Sequence, residues 1–379
     1  MTSVRNAEAR VRLFASADAW IEGAAQAQLQ FAANLDGVTA VAGMPDLHPG
    51  PHGPVGCAVL ATGVVHPDLV GTDIGCGMSM VAIDLPARKF RADRALDRLA
   101  ALDAPWDGDA EELAAAAGLA DTGFASALGT VGGGNHFAEI QQVQEIIDDT
   151  AAASAELARG DLVLLVHSGS RGFGAAVLAR HRREGERALA LDGAGENYLA
   201  DHDRAVRFAA INRALISTRV LAAIRADGRQ ILDVPHNLAE RQGARVLHRK
   251  GAAPADRGLV PVPGSRGDVT ILIEPLPGPA EALTTLAHGA GRKHERRWMH
   301  GRARQSPADL DRLTRNPFGG HVICADRTLV VEEAPEAYKD VRKVVGDLEA
   351  FGLARTVAIL RPLITFKTAL GARERGRRA

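Results

Sequence analysis

The chain has 379 residues, of which 46% are hydrophobic, and its 45 Lys and Arg against 46 Asp and Glu give a formal net charge of −1. This length allows one large core or two domains, and the balanced charge favours no class of partner. No apolar run approaches the roughly 20 residues needed to span a membrane, and the first residues lack the apolar core of a signal peptide. The three widely spaced cysteines do not make a disulfide framework, so we expect a cytoplasmic protein.

The first elements predicted are a helix over 21–34, a rigid loop over 44–56 and a strand over 55–65. The loop reads MPDLHPGPHGPVG, and its prolines and glycines predict irregular backbone. Asp46, His48 and His52 lie on it. They are either contacts to a substrate or ordinary solvated loop residues.

The next segment, VGTDIGCGMSM over 70–80, predicts a glycine-rich corner between the strand over 55–65 and a second strand over 78–85. Its glycines permit positive φ and a close approach to a ligand. Asp73 and Cys76 stand three residues apart on this corner, where a carboxylate and a thiolate are suited to a divalent cation. The alternative is a turn-forming aspartate and an ordinary buried cysteine.

Two helices over 91–120, joined near Pro105, precede the sequence LGTVGGGNHFAEIQ over 128–141. A glycine-rich backbone followed by Asn135 and His136 suits the close approach of a phosphate. The segment is not a P-loop, because no Lys followed by Ser or Thr is present. It is not a dinucleotide fingerprint either, because no strand–helix pair frames it.

Two further histidines follow apolar strands. A strand over 161–166 leads into His167, and a strand over 228–235 leads into His236, with helices predicted over 175–191 and 203–226 between them. A lone histidine of this kind is usually a satisfied core residue. Together with His136, Asp73 and Cys76, the pattern favours a metal site. Ligand softness alone would suggest Zn²⁺ for a Cys/His set.

The last third of the chain contains one further candidate, His288, in the sequence AHGAGR. A histidine with small neighbours and a following arginine can be a nucleophile beside an anion-binding corner. The alternative is a helix that ends at glycine. The other elements predicted here are loops at 250–252 and 262–270, a helix over 281–287, a basic helix over 292–304, a turn at 317–320, a strand over 327–331, a segment over 337–351 and a last apolar run over 357–366.

In chain order, these segments resemble the RtcB family of RNA ligases, which join RNA ends using GTP. The resemblance extends over about 44–367 and rests on MPDLHPG, GTDIGCGM, LGTVGGGNHFAEI, HSGSRG, HRKGA, PGSRG, AHGAGR, EAYKDV and LRPLITFK. It implies one α+β domain over 1–379, with mixed β-sheets around a central metal and nucleotide cleft flanked by helices. Residues 368–379 would form a basic tail.

The resemblance also implies roles for individual residues. Two Mn²⁺ ions would be held by Asp73, Cys76, His136, His167 and His236, with the thiolate of Cys76 shared, and this assignment replaces the zinc suggested by softness. His288 matches the histidine that takes GMP. The residues implied to bind GTP are Asn135, Phe137, Glu139, Ser265, Thr270, Gly289, Gly291, Arg292, Tyr338 and Lys367. Thr270 replaces a residue that is usually Ser, and the hydroxyl is kept.

The implied reaction joins an RNA 3′-phosphate or 2′,3′-cyclic phosphate to a 5′-hydroxyl, through guanylylated His288 and an RNA-ppG intermediate. The segments over 84–121 and 192–203 are shorter than expected for the family. This compact form resembles the branch coupled to release factor H, which implies RNA repair with a peptide release factor homologue as partner, and neither DNA nor a membrane. The alternatives are a dinuclear metal phosphoesterase that opens cyclic phosphates without guanylylation, and a catalytically silent RNA-end-binding protein. Neither alternative needs His288.

Overall fold

A computed structural model describes residues 9–104, 106–182, 187–302 and 312–368. Within these residues the fold is α+β, as predicted. The strands are β1 (Arg10–Leu13), β2 (Val38–His48), β3 (Val55–Thr62), β4 (Val64–Val65), β5 (Gly77–Ile83), β6 (Phe137–Ile146), β7 (Leu162–Ser168), β8 (Leu189–Ala190), β9 (Gly228–Pro235), β10 (Asn237–Gln242), β11 (Arg245–Lys250), β12 (Ala252–Pro254), β13 (Val260–Pro263), β14 (Thr270–Pro275), β15 (Thr285–Ala287), β16 (His321–Cys324) and β17 (Ala354–Thr368).

The helices are α1 (Gly23–Ala33), α2 (Ala92–Leu99), α3 (Ala110–Ala116), α4 (Asp149–Ser154), α5 (Gly172–His181), α6 (Ala194–Ile224), α7 (Arg296–Arg302), α8 (Arg327–Glu332) and α9 (Val341–Ala350). Across the four described ranges, no helix combines the length and the apolar character that a membrane crossing requires.

Two sheets organise the fold. The larger has eight strands, in the order β13-β14-β17-β6-β7-β5-β9, with β16 paired to β17. The smaller has five strands, in the order β1-β2-β3-β11-β10, and short pairs form between β12 and β15 and between β4 and β8. The glycine-rich corner over 71–76 therefore lies between β4, which follows β3 of the smaller sheet, and β5 of the larger sheet.

The central core contains side chains from both large sheets, and β7 shows how the sequence builds it. Because side chains alternate along a strand, Val163 and Leu165 belong to a cluster that also contains Met44 of β2 and Ala58 of β3. Leu164 of β7 belongs to a second cluster, with residues of α6. Buried on both faces, β7 is apolar from Leu162 to Val166, and burying each large side chain is worth about 1.5–3 kcal/mol.

The predicted loop over 44–56 is wrong in its first half. Residues 44–48 continue β2, and only 49–54 lie outside strands. The register between β2 and β3 jumps from the Gly43–Cys57 pair to the His48–Val55 pair. Pro45 lies within this irregularity. The ladder needs no hydrogen bond from residue 45 there, so the missing N–H group of proline is tolerated.

Three other predictions are wrong because tertiary pairing or capping decides the local structure. The helix predicted over 281–287 is replaced by β15, which pairs antiparallel with β12. The strand predicted over 327–331 is α8, whose first turn is capped by the Asp326 side chain accepting hydrogen bonds from two backbone N–H groups. Lys250, predicted in a loop, is the last residue of β11.

Other boundaries move without changing the kind of element. The helix predicted over 175–191 ends at His181, and β8 occupies its last part. The helix predicted over 203–226 begins earlier, at Ala194. Pro105, residues 303–304 of the basic helix and residues 369–379 of the basic tail lie outside the described residues.

Candidate active site

The ends of three neighbouring strands bring a cysteine and two histidines together. Cys76 directly precedes β5, His167 is the penultimate residue of β7, and His236 directly follows β9. β5 lies between β7 and β9, and Met78 pairs with His167. His167 continues the inward row of Val163 and Leu165, so strand alternation directs its imidazole into the central core.

These side chains meet in a continuous cluster. The Sγ of Cys76 lies 3.3 Å from His136 Nε2 and 3.2 Å from His167 Nε2. His167 Nε2 lies 3.2 Å from His236 Nε2, and His136 Nε2 lies 2.7 Å from Asp73 Oδ2. All five residues predicted as metal ligands are therefore linked by short contacts.

The donor set fits a cation better than a set of ordinary hydrogen bonds. An imidazole nitrogen carries at most one proton, yet His167 Nε2 faces both a sulfur and another Nε2 atom. The Nδ1 of His136 is buried without a hydrogen-bond partner in the described part of the chain. Cys76, His136 and His167 place one ligand atom each within 4.8 Å of one another. Thiolate and imidazole groups in this arrangement could hold a metal.

Burial sets the protonation of this cluster. It lowers the pKa values of His167 and His236 well below the usual range, with nearby imidazoles adding to the effect, so both are neutral as metal ligands require. Burial, with the Asp73 carboxylate next in weight, raises the pKa of the Cys76 thiol. A cation at the cluster would reverse that preference and favour the thiolate.

Hydrogen bonds from a buried arginine of α6 stabilise the corner that carries Asp73 and Cys76. Arg213 of α6 is fully buried and donates to both oxygens of Asp233, at 2.6 and 2.7 Å. It also donates to the carbonyl oxygens of Gly75, at 2.7 Å, and Ser168, at 3.0 Å. One planar cation therefore ties the corner to the end of β7.

His288 lies beside the cluster and is oriented by a buried carboxylate. Its Nδ1 lies 2.7 Å from Asp46 Oδ2, and its backbone N–H donates to the same oxygen at 3.2 Å. Since a carboxylate oxygen accepts, Nδ1 is the nitrogen placed to donate to Asp46, and in the neutral form of the imidazole Nε2 is the nitrogen with the free lone pair. The imidazole centroid lies 4.6 Å from that of His236. A side chain at Gly291, whose φ is +71°, would collide with the Asp46 backbone, so glycine is required there.

A cavity of about 320 Å³ opens onto the cluster and His288. Glu333 also lines this cavity. Burial alone would raise the pKa of its carboxyl group, but the positive charges of Lys367, Arg292 and Arg296 outweigh burial and hold that pKa at about 2. Tyr338 donates its hydroxyl hydrogen to Glu333. This part of the cavity thus presents a carboxylate surrounded by cations, next to an aromatic ring.

Most residues predicted for the site line this cavity. They are Asp73, Cys76, Asn135, Phe137, His167, His236, Ser265, His288, Gly289, Gly291, Arg292, Tyr338 and Lys367.

Three predicted residues are not among the lining residues. His136 lies beside Cys76 and Asp73. Glu139 and Thr270 are both buried, and the Gln141 amide joins them by donating to Glu139 Oε1 at 2.6 Å and to Thr270 Oγ1 at 2.7 Å. Burial raises the pKa of Glu139 to about 7, although hydrogen bonds from Thr365 and Gln141 oppose the shift.

Sequence reasoning gave no definite role to three residues of the site. Asp46 lies in the segment predicted as a loop, but its contact to His288 spans 242 positions of sequence. Glu333 lies in a Glu-Glu pair without any motif. Lys250 lines the cavity, and burial lowers the pKa of its ammonium to about 8. Its position in the HRKGA segment is a sequence signal that could have indicated Lys250.

The described residues thus define an α+β protein with a buried Cys/His cluster that could hold a metal, beside a histidine oriented by a carboxylate. A family model described as tRNA-splicing ligase RtcB matches residues 28–105 and 108–368. The chain belongs to the RtcB family.

Curated relatives agree with this assignment. The chain is 44% identical to the RNA-splicing ligase RtcB2 of Escherichia coli, over 94% of this chain and 95% of that protein. It is 30% identical to the RNA-splicing ligase RtcB of Mycobacterium tuberculosis, over 87% of this chain and 98% of that protein. It is 28% identical to the tRNA-splicing ligase RtcB of Aeropyrum pernix, over 84% of this chain and 86% of that protein.

Proposed function

We propose that this protein is a GTP- and Mn²⁺-dependent RNA ligase that joins a 3′-phosphate or 2′,3′-cyclic phosphate end to a 5′-hydroxyl end. Family membership supports the ligase class. The observation that carries the mechanism is the pair formed by His288 and Asp46. This pair leaves Nε2 of a cavity-lining imidazole as a nucleophile beside the Cys/His cluster.

The chain's own residues would act as follows. Asp46 holds the Nδ1 proton of His288, so that Nε2 attacks the α-phosphorus of GTP, a P–N bond forms and pyrophosphate leaves. An oxygen of the RNA 3′-phosphate then attacks the same phosphorus, which breaks the P–N bond and gives RNA-ppG. The 5′-hydroxyl of the second strand attacks the RNA phosphate, a phosphodiester forms and GMP leaves. A 2′,3′-cyclic end is first opened by water to the 3′-phosphate.

The residues proposed to hold two Mn²⁺ ions are Asp73, Cys76, His136, His167 and His236. Bound there, Mn²⁺ would supply positive charge to the phosphoryl oxygens during transfer. Neutral His167 and His236, and a Cys76 thiol whose proton a cation would displace, suit that role.

The guanosine end is proposed to lie where Phe137, Tyr338 and Lys367 line the cavity, with Asn135 and Arg292 near the phosphates. Ser265, Gly289 and Gly291 also line the cavity and are proposed as further contacts to GTP. A peptide release factor homologue as partner stays a prediction from the resemblance.

One experiment separates the ligase from both alternatives. Mixing the protein with Mn²⁺ and α-³²P-labelled GTP should transfer labelled GMP to the protein. A dinuclear phosphoesterase would open a 2′,3′-cyclic phosphate but take no label. A silent RNA-end-binding protein would do neither.

Glu139 is expected to select guanine. Glu139 does not line the cavity, but its carboxylate is near enough to the lining residue Lys367 for their charges to interact. Each of its carboxylate oxygens accepts one hydrogen bond, from Gln141 or Thr365, and keeps a second lone pair for the guanine N1–H or amino group of a nucleotide that reaches it. A site built to pair such donors rejects an analogue that lacks them by factors on the order of 10⁴. We therefore expect ATP to leave the protein unlabelled, and Glu139→Ala to weaken labelling by GTP.

Glu145→Ala, which changes an exposed residue on the same strand, is the matched control and should label normally. Equal labelling of the wild-type protein by ATP and GTP would contradict the role of Glu139.

A further inference from the structure

A second, larger cavity adjoins the candidate active site. It encloses about 660 Å³ between α1, the loop over 49–54 and residues 66–69. Pro51 lines both cavities. Lys250, which lines the active-site cavity, donates to the backbone oxygen of Asp68 at 3.3 Å, and Asp68 lines the larger cavity. The two cavities are therefore neighbours at the Lys250 side of the site.

A reciprocal pair of hydrogen bonds joins helix α1 to the loop over 49–54 at the edge of this cavity. The Gln28 side-chain amide of α1 donates to the Gly50 oxygen at 2.9 Å. The Gly50 N–H donates back to Gln28 Oε1 at 3.1 Å. Because both groups of the amide are used, the loop is held against α1.

An aromatic ring and a cation are stacked at this cavity. Phe31 is 51% exposed, although Leu29 and Ala32 beside it on α1 are buried. The Arg187 guanidinium lies 4.9 Å from the centroid of the Phe31 ring. Arg182, also a lining residue, is largely exposed and lies 3.7 Å from Asp68 Oδ1. Packing among the residues that the structure describes does not explain an exposed phenylalanine that lines a cavity.

We propose that this cavity binds one nucleotide of the RNA strand next to the break, with its base stacked on the Phe31–Arg187 pair. The proposal rests on the proposed function, since it takes RNA as the substrate. Single-stranded RNA is bound by aromatic rings and guanidinium planes on which bases stack, combined with cations that contact the backbone. Arg182 and Arg187 supply those cations.

The position of the cavity supports this occupant. It adjoins the site at Pro51 and Lys250, and it is not lined by Tyr338 or Lys367, where the guanosine of GTP is proposed to lie. An RNA strand that extends from the reacting phosphate toward Lys250 would enter the larger cavity directly. A protein partner would instead favour an extended apolar groove, whereas this cavity combines a single exposed ring with two arginines and one carboxylate, Asp68.

RNA binding without GTP tests the proposal. Fluorescence anisotropy would use the Mn²⁺-loaded protein and two ten-nucleotide RNAs, one ending in a 3′-phosphate and one beginning with a 5′-hydroxyl. Phe31→Ala and Arg187→Ala should each weaken binding of at least one RNA by about 10-fold, because base stacking commonly accounts for an effect of that order. Phe31→Trp should restore binding.

The matched controls lie away from the cavity. Ile147→Ala removes another exposed large apolar side chain. Arg229→Ala removes an exposed arginine that pairs with Glu156, at the opposite end of β9 from His236. Both controls should bind RNA as the wild-type protein does, and GMP labelling of all five variants should match the wild type, which also shows that they are folded.

Photocrosslinking gives a second readout. RNA carrying 5-iodouridine at the first or second nucleotide from the end should crosslink to Phe31, located by peptide fragmentation. Unchanged RNA binding by Phe31→Ala and Arg187→Ala, or a crosslink at a distant ring such as Trp298, would overturn the proposal and leave the ligase intact. Weakened binding in a protein that takes no GMP would instead overturn the ligase and leave the RNA site standing.

Discussion

His288→Ala should keep its fold and its metals, bind GTP, and form no GMP adduct that is acid-labile and base-stable, the signature of a phosphoramidate. The variant lacks the only nucleophile proposed, while the contacts linking Cys76, His136, His167 and His236 do not involve residue 288. Sealing of a 3′-phosphate or a 2′,3′-cyclic phosphate to a 5′-hydroxyl should fall to background. Labelled-GTP transfer and a gel assay of RNA joining would measure both losses.

A pre-activated RNA-ppG substrate would bypass the missing step, so His288→Ala should still seal it. His300→Ala, which changes a partly exposed histidine paired with Glu332, is the matched control and should behave as the wild type. Loss of RNA-ppG sealing in His288→Ala, with metals retained, would show that His288 does more than carry GMP.

Cys76→Ala should lose at least one Mn²⁺ and all GMP transfer while staying folded. Its Sγ is the atom in contact with two of the imidazoles, which fits the shared ligand predicted from the sequence. Changing even an outer partner of a metal site commonly costs about 10–100-fold in affinity, so loss of a direct ligand should cost more. Elemental analysis after dialysis would count the bound metal.

Cys57→Ala provides the control for this variant. Cys57 is also buried, and burial raises the pKa of its thiol to about 12, but it lies outside the Cys/His cluster. It should keep its metal and its GMP transfer. An unchanged metal count in Cys76→Ala would contradict the bridging role of the thiolate.

Local pattern was enough to predict the strand ends that carry the cluster. His167 and His236 each follow an apolar run, and the structure places both runs as β7 and β9, on either side of β5. Alternation along β7 directs His167 into the core with Val163 and Leu165. The glycine-rich corner before β5 was also visible, because its glycines signal tight backbone.

Contacts between distant parts of the sequence were not predictable in this way. The Asp46–His288 pair depends on β2 continuing through Pro45, and the register jump that permits this is set by pairing with β3. β15 forms because β12 lies beside it, although residues 281–287 alone favour a helix. Glu333 acquires its low pKa only when Lys367, Arg292 and Arg296 surround it in the fold.

The site of GMP attachment on the wild-type protein is the most direct test of the proposed mechanism. After incubation with Mn²⁺ and GTP, trypsin should release the peptide over 267–292, in which His288 is the one histidine and no lysine or cysteine is present. Mass spectrometry under non-acidic conditions should find one added GMP on that peptide, at His288. An adduct at Lys250 or Lys367 would contradict the mechanism and indicate a lysine-type nucleotidyl transfer.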